Sequence, residues 1–158
     1  MFYFLDPNVN VVFDVLDRVK KTAKKRQEKG TISIPELHDD SNKLFHRLIK
    51  KIVFIIGKLL FQNEKLKLVI FKDNSGKILS EIAQLLFSYT DDLDLVDKIV
   101  NVFEKLIQSE NAVMRKYIID ELKKHDIVKN SLKAVTEKWS NGEDEDLIGR
   151  VNSILAVV

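Results

Sequence analysis

Residues 42–62 read NKLFHRLIKKIVFIIGKLLFQ. Leu44, Phe45, Leu48, Ile49, Ile52, Val53, Ile55, Ile56, Leu59 and Leu60 recur at helical spacing and cover more than half of the helix circumference. A helix apolar over so wide an arc needs neighbours on several sides, which makes this segment the candidate centre of the core. Its most apolar stretch, 52–61, is interrupted by Lys58 and is about half of the roughly 20 residues that span a bilayer. Lys43, Arg47, Lys50, Lys51, Phe54 and Lys58 share the remaining sector, about 100° wide at 100° per residue.

Helices are predicted on both sides of this segment. Upstream, Asp6 is a good N-cap and Pro7 suits the first helical position. Val11, Val12, Val15, Leu16 and Val19 form a stripe that ends before Gly30, so residues 1–30 read as an amphipathic and basic helix. Residues 31–41 read as a connector, in which Ser33 and Glu36 have the spacing of a one-turn capping box and Asp39, Asp40 and Ser41 offer caps. Downstream, helices are expected at 64–72, from Ile78 after the Asn74-Ser75-Gly76 turn, at 92–108, 112–122, 126–139 and 143–157. No stretch alternates long enough for a strand. The fold class is all-α, with residues 42–158 forming a helical domain onto which 1–30 packs.

Composition agrees. Two prolines and five glycines in 158 residues favour long helices, and the absence of cysteine excludes disulfides, zinc–thiolate sites and cysteine nucleophiles. Charged residues at 32% argue against a membrane protein, and hydrophobic residues at 45% against a disordered one. Phe2–Leu5 is too short for a signal peptide before Asp6-Pro7, so the expected location is cytoplasmic, with the nucleus as the alternative. The net charge of +2 conceals a polarity: residues 1–72 carry 15 Lys/Arg against 8 Asp/Glu, and residues 73–158 carry 11 against 16.

The helices recur as long, short, medium, long, short, medium, long. Phe54-Ile55-Ile56-Gly57-Lys58-Leu59-Leu60-Phe61-Gln62-Asn63 leads into Glu64-Lys65-Leu66-Lys67-Leu68-Val69-Ile70. About 48 positions on, Asn101-Val102-Phe103-Glu104-Lys105-Leu106-Ile107-Gln108-Ser109 leads into Asn111-Ala112-Val113-Met114-Arg115-Lys116-Tyr117-Ile118. Over residues 42–158 this pattern resembles the armadillo-like helical repeat family. The resemblance implies a short right-handed helical solenoid, the alternative being an irregular multi-helix bundle. It also implies a groove lined by the third helices that binds another protein. Peptide-binding members of that family carry a Trp and, four residues on, an Asn in the third helix. The matching positions here are Phe54 and Lys58, then Asn101 and Lys105. The Asn ladder is missing, so the resemblance implies a scaffold or adaptor rather than a clamp on extended backbone. The expected partner surface is Lys43, Arg47, Lys50, Phe54 and Lys58, continued one repeat later by Asp94, Asp97, Lys98, Asn101 and Lys105.

Nothing in the sequence points to catalysis, a cofactor or a metal. His38, His46 and His125 lack the i, i+4 spacing that places two ligands on one helical face. Asp91-Asp92-Asp94 and Glu143-Asp144-Glu145-Asp146 sit where helices begin and complement the positive helix terminus; the second lacks the pattern of a calcium loop. No phosphate-binding glycine loop, nucleophile elbow or kinase signature occurs. Arg18, Lys20, Lys21, Lys24, Lys25, Arg26 and Lys29 form a basic segment suited to anions, which makes a nucleic-acid-associated domain the alternative function. No aromatic residue is interleaved there to stack on bases. The segment Ile154-Leu155-Ala156-Val157-Val158 lacks the polar outer face usual at a solenoid end, so self-association through 143–158 is a further expectation.

Overall fold

A computed structural model describes residues 35–72, 76–142 and 144–158. The expected helix at 1–30, with its basic segment from Arg18 to Arg26, lies outside the described residues. Seven α-helices occur among them, with no strand: α1 (Pro35–Leu60), α2 (Glu64–Lys72), α3 (Lys77–Ser88), α4 (Leu93–Ile107), α5 (Ala112–Lys123), α6 (Asp126–Lys138) and α7 (Glu145–Leu155). None of these helices is long and apolar enough to cross a membrane.

The chain divides into two units at Ile52/Val53, within α1. In the first unit, helix begins at Pro35 rather than near Asn42, Pro being well suited to the first helical position. Ile49 and Ile52 are buried there, while Lys43, Arg47 and Lys51 are exposed.

In the second unit the helix starts are fixed by side chains. Asn63 Oδ1 accepts from the Leu66 N–H at 3.0 Å, and 48 positions on Asn111 Oδ1 accepts from Val113 and Met114. Asp92 and Asp144 cap α4 and α7 in the same way, through the N–H groups of Leu95 and Leu147. The acidic clusters thus contribute caps. Gln62, at φ 54°, takes the left-handed conformation two residues after α1 ends and directly before the Asn63 cap. Gly76 has φ 77° and its α-carbon lies against the His125 ring, where a Cβ would come within 2.6 Å.

From α2 onward each helix packs on its neighbour in sequence and on the helix three places later: α2 on α5, α3 on α6, α4 on α7. The α3–α6 contact is the most extensive. The end of α1 approaches α4, since a Cβ on Gly57 would sit 3.4 Å from Asn101 Nδ2 and 3.6 Å from Val102 Cγ2. Trp139 Nε1 donates to the Thr90 carbonyl at 2.8 Å, tying the loop after α6 to the loop after α3.

The centre of the core is α4, not α1. Leu95, Val96, Ile99, Val100, Val102, Phe103 and Leu106 are all fully buried. In α1 the expected all-round burial is not seen: Val53, Ile56 and Leu60 are buried, whereas Ile55 and Leu59 are exposed. The flank of this stretch that carries Gly57 meets α4, at Asn101 and Val102. At the other end, Val151, Ile154 and Val158 are buried and Val157 is half-buried. Of the apolar residues that motivated self-association through 143–158, Ile154 and Val158 are buried, Leu155 and Val157 half-buried and Ala156 exposed.

Candidate functional site

Two helices, α1 and α4, carry the expected partner residues of the second unit. Phe54 and Lys58 are at i, i+4 and share a face of the end of α1, and Phe61 stands in the turn that follows it. Phe54 is 49% and Phe61 52% exposed, large aromatic areas to leave in water. Each ring carries a cation: Lys58 Nζ stands 5.3 Å from the Phe54 centroid, and Lys105 Nζ of α4 stands 5.0 Å from the Phe61 centroid. Lys105 also donates to Gln108 Oε1 at 3.1 Å. Among the described residues neither Lys58 nor Lys105 lies within ion-pairing distance of a carboxylate.

The other members of the expected surface are partly engaged. Asn101 is half-buried, facing Gly57. Asp94 is exposed and ion-paired with Lys98 one turn on. Asp97 is bound by a residue that sequence reasoning missed, Arg150 of α7. Arg150 Nε and Nη2 donate to Glu104 Oε1 and Oε2 at 3.0 and 2.7 Å, and Nη1 donates to Asp97 Oδ1 at 2.5 Å. This two-toothed grip on Glu104, reinforced by Asp97, holds the guanidinium proton more tightly than usual. Lys43, Arg47 and Lys50 belong to the first unit, with Lys43 and Arg47 exposed and Lys50 half-buried.

A second residue missed by the sequence reading is Lys67 of α2, only 1% exposed. Its ammonium donates to the Gln108 carbonyl at the C-terminus of α4 and to Glu64 Oε1 at 3.1 Å. Glu64 in turn accepts from Ser109 Oγ at 3.1 Å. A lysine on a helix that is half polar reads as surface; the one signal was Glu64 three residues earlier on the same face.

An open cleft of about 440 Å³ lies beside the Lys105 end of this surface. Lys105, Gln108, Arg115, Arg150, Ile154 and Val157 line it, with α4, α5 and α7 contributing. Among the described residues no group of three or more His, Asp or Glu side chains is arranged to hold a metal ion.

No family model, no curated protein and no solved structure matches this chain. The exposed rings of Phe54 and Phe61, each with a lysine ammonium over it, lie on the outward side of the packed helices.

Proposed function

We propose that the Val53–Val158 unit is a protein-interaction scaffold or adaptor of the armadillo-like solenoid type. Its partner binds along the outward face of the third helices, α1, α4 and α7. The solenoid reading is supported by the packing of each helix on the one three places later and by the recurrence of Asn63 and Asn111 as caps 48 positions apart. The compartment that suits such a scaffold is the cytoplasm or the nucleus.

The observation that carries the binding reading is the pair of exposed phenylalanines, Phe54 and Phe61, each covered by a lysine that has no carboxylate partner among the described residues. Aromatic residues are enriched in protein interfaces, and rigid rings at the centre of a patch are common anchors. Asn101 and Asp94 extend the patch along α4. Lys43, Arg47 and Lys50 are a separate arm of the proposal, tested on the first unit by replacing Arg47 and Lys50 with Glu.

The test is affinity capture from a lysate of the source cells on immobilised wild-type chain and on a Phe54→Ala, Lys58→Glu, Phe61→Ala variant. All three sites are exposed, so the variant is expected to melt within about 1 °C per site of the wild type, equivalent to less than about 0.5 kcal/mol each. A protein retained by the wild type and released by the variant supports the scaffold. Identical sets of retained proteins refute this surface.

A further inference from the structure

The internal repeat provides a template for reading the cleft. In the first triplet, Lys67 of α2 reaches the C-terminal carbonyl of α4 and is neutralised by Glu64, which is steadied by Ser109. The position 48 residues beyond Lys67 is Arg115 of α5, again a cation in the second turn of the first helix of a triplet. The position 48 residues beyond Glu64 is Ala112, and beyond Ser109 it is Val157. The second triplet has kept the cation and lost its acid. Arg115 is exposed, has no carboxylate within ion-pairing distance among the described residues, and lines the cleft with Val157 and Ile154. Lys105 stands on the same cleft in the same condition, its only described partners being a phenyl ring and a neutral amide. Arg150, the third cation, is already matched by Glu104 and Asp97.

We infer that the cleft between α4, α5 and α7 receives an acidic, apolar-anchored peptide segment of a partner protein, whose carboxylates take the place left by the missing acid at Arg115 and pair with Lys105. The inference rests on the scaffold reading above and adds the chemistry of the partner. Lys105 and Arg115, without a carboxylate among the described residues, select carboxylates, and Ile154 and Val157 in the lining select an apolar side chain between them. A volume of about 440 Å³ admits a few side chains, not a folded domain. A nucleic acid would bring phosphates to the same cations, but no aromatic residue is among the described residues that line this cleft, so bases have no ring to stack on, and the lining includes Glu104.

The experiment is fluorescence polarisation with the full chain and three labelled probes. They are the peptide Gly-Asp-Glu-Leu-Asp-Glu-Phe-Asp-Glu-Leu, its amide analogue with Asn and Gln for Asp and Glu, and a single-stranded oligonucleotide of mixed sequence. The acidic peptide is expected to bind at least about tenfold more tightly than the amide analogue, a difference of about 1.4 kcal/mol. Lys105→Glu with Arg115→Glu is expected to abolish that preference. The milder Arg115→Ser is expected to reduce it, and Lys133→Glu, on the exposed face of α6, to leave it within about twofold. Equal binding of the acidic and amide peptides overturns the inference, as does acidic-peptide affinity unchanged by the double reversal. So does an oligonucleotide that binds more tightly than the acidic peptide. If a captured protein is released by the Phe54, Lys58, Phe61 variant but held by the Lys105, Arg115 variant, the scaffold stands and the cleft inference alone fails.

Discussion

Replacing Lys67 with Met tests whether the buried ammonium holds the first triplet together. Met keeps most of the unbranched stem and its packing while removing the charge and both hydrogen bonds, to Glu64 and to the Gln108 carbonyl. Hydrogen bonds that involve a charged group contribute about 1.5–3 kcal/mol each at most. Part of that is recovered here, because Glu64 is 38% exposed and Gln108 is exposed, so water reaches both groups once the ammonium is gone. The heavier penalty of about 3–5 kcal/mol for stranding a buried charge does not apply, since Glu64 can be rehydrated. The expected loss is therefore about 1–3 kcal/mol, or a fall in melting temperature of roughly 3–9 °C for a chain of this size. Lys67→Ala should lose about 2 kcal/mol more from its buried methylenes. Urea and thermal melts followed by circular dichroism measure both. If Lys67→Met is as stable as the wild type or more so, the buried charge is a net cost and the reasoning about this tie is wrong.

Further tests address the packing elsewhere. Gly57→Ala is expected to stabilise by about 0.5–1 kcal/mol, because a Cβ there makes ordinary contact at 3.4 Å with Asn101; Gly76→Ala is expected to destabilise by about 1–3 kcal/mol, through its positive φ and the His125 ring, and chemical denaturation separates the two outcomes. Arg150→Ala should cost about 1 kcal/mol, given half-exposed partners, and the gap to wild type should narrow in 1 M salt when melts are compared. Burial raises the Tyr89 phenol above its ordinary value of 10, so the neutral form is favoured in the fold. Stability from this group is complete below pH about 10 and is lost as pH rises through the folded value; ultraviolet titration should show a late-ionising phenol that Tyr89→Phe removes.

Much of the fold was readable because its signals are local. Periodic apolar residues and the acidic clusters at the helix starts placed α4 and α7, although Asp92 and Asp144 emerge as their caps only in the structure, and the Asn74-Ser75-Gly76 turn placed α3. What failed was the inference from local pattern to position in the stack. Ten apolar residues on α1 suggested a central helix, yet Ile55 and Leu59 are exposed, because amphipathic width does not say how many neighbours a helix has. Of the expected site residues, Phe54 and Lys58 were placed on one stripe of α1 by helical periodicity and by the family resemblance, and Lys105 by the repeat; the structure adds that the Lys58 ammonium stands over the Phe54 ring. Phe61 was missed because its cation comes from another helix, and Arg150 because its acids, Asp97 and Glu104, are about fifty residues away in the chain. Such pairings are invisible until the helices are placed.

The stacking of each helix on its sequence neighbour and on the third helix along has a consequence for how the chain finds its structure. In the principal contacts no residue has to meet another much more than fifty positions away. The entropic cost of closing such a loop grows only with the logarithm of its length, and here that length has a fixed ceiling. A further triplet would add contacts of the same span, leaving the search problem unchanged as the chain grew. With α4 touching α3, α5, α7 and the end of α1, assembly can begin there and spread toward either side, each newly ordered helix offering the template for the next.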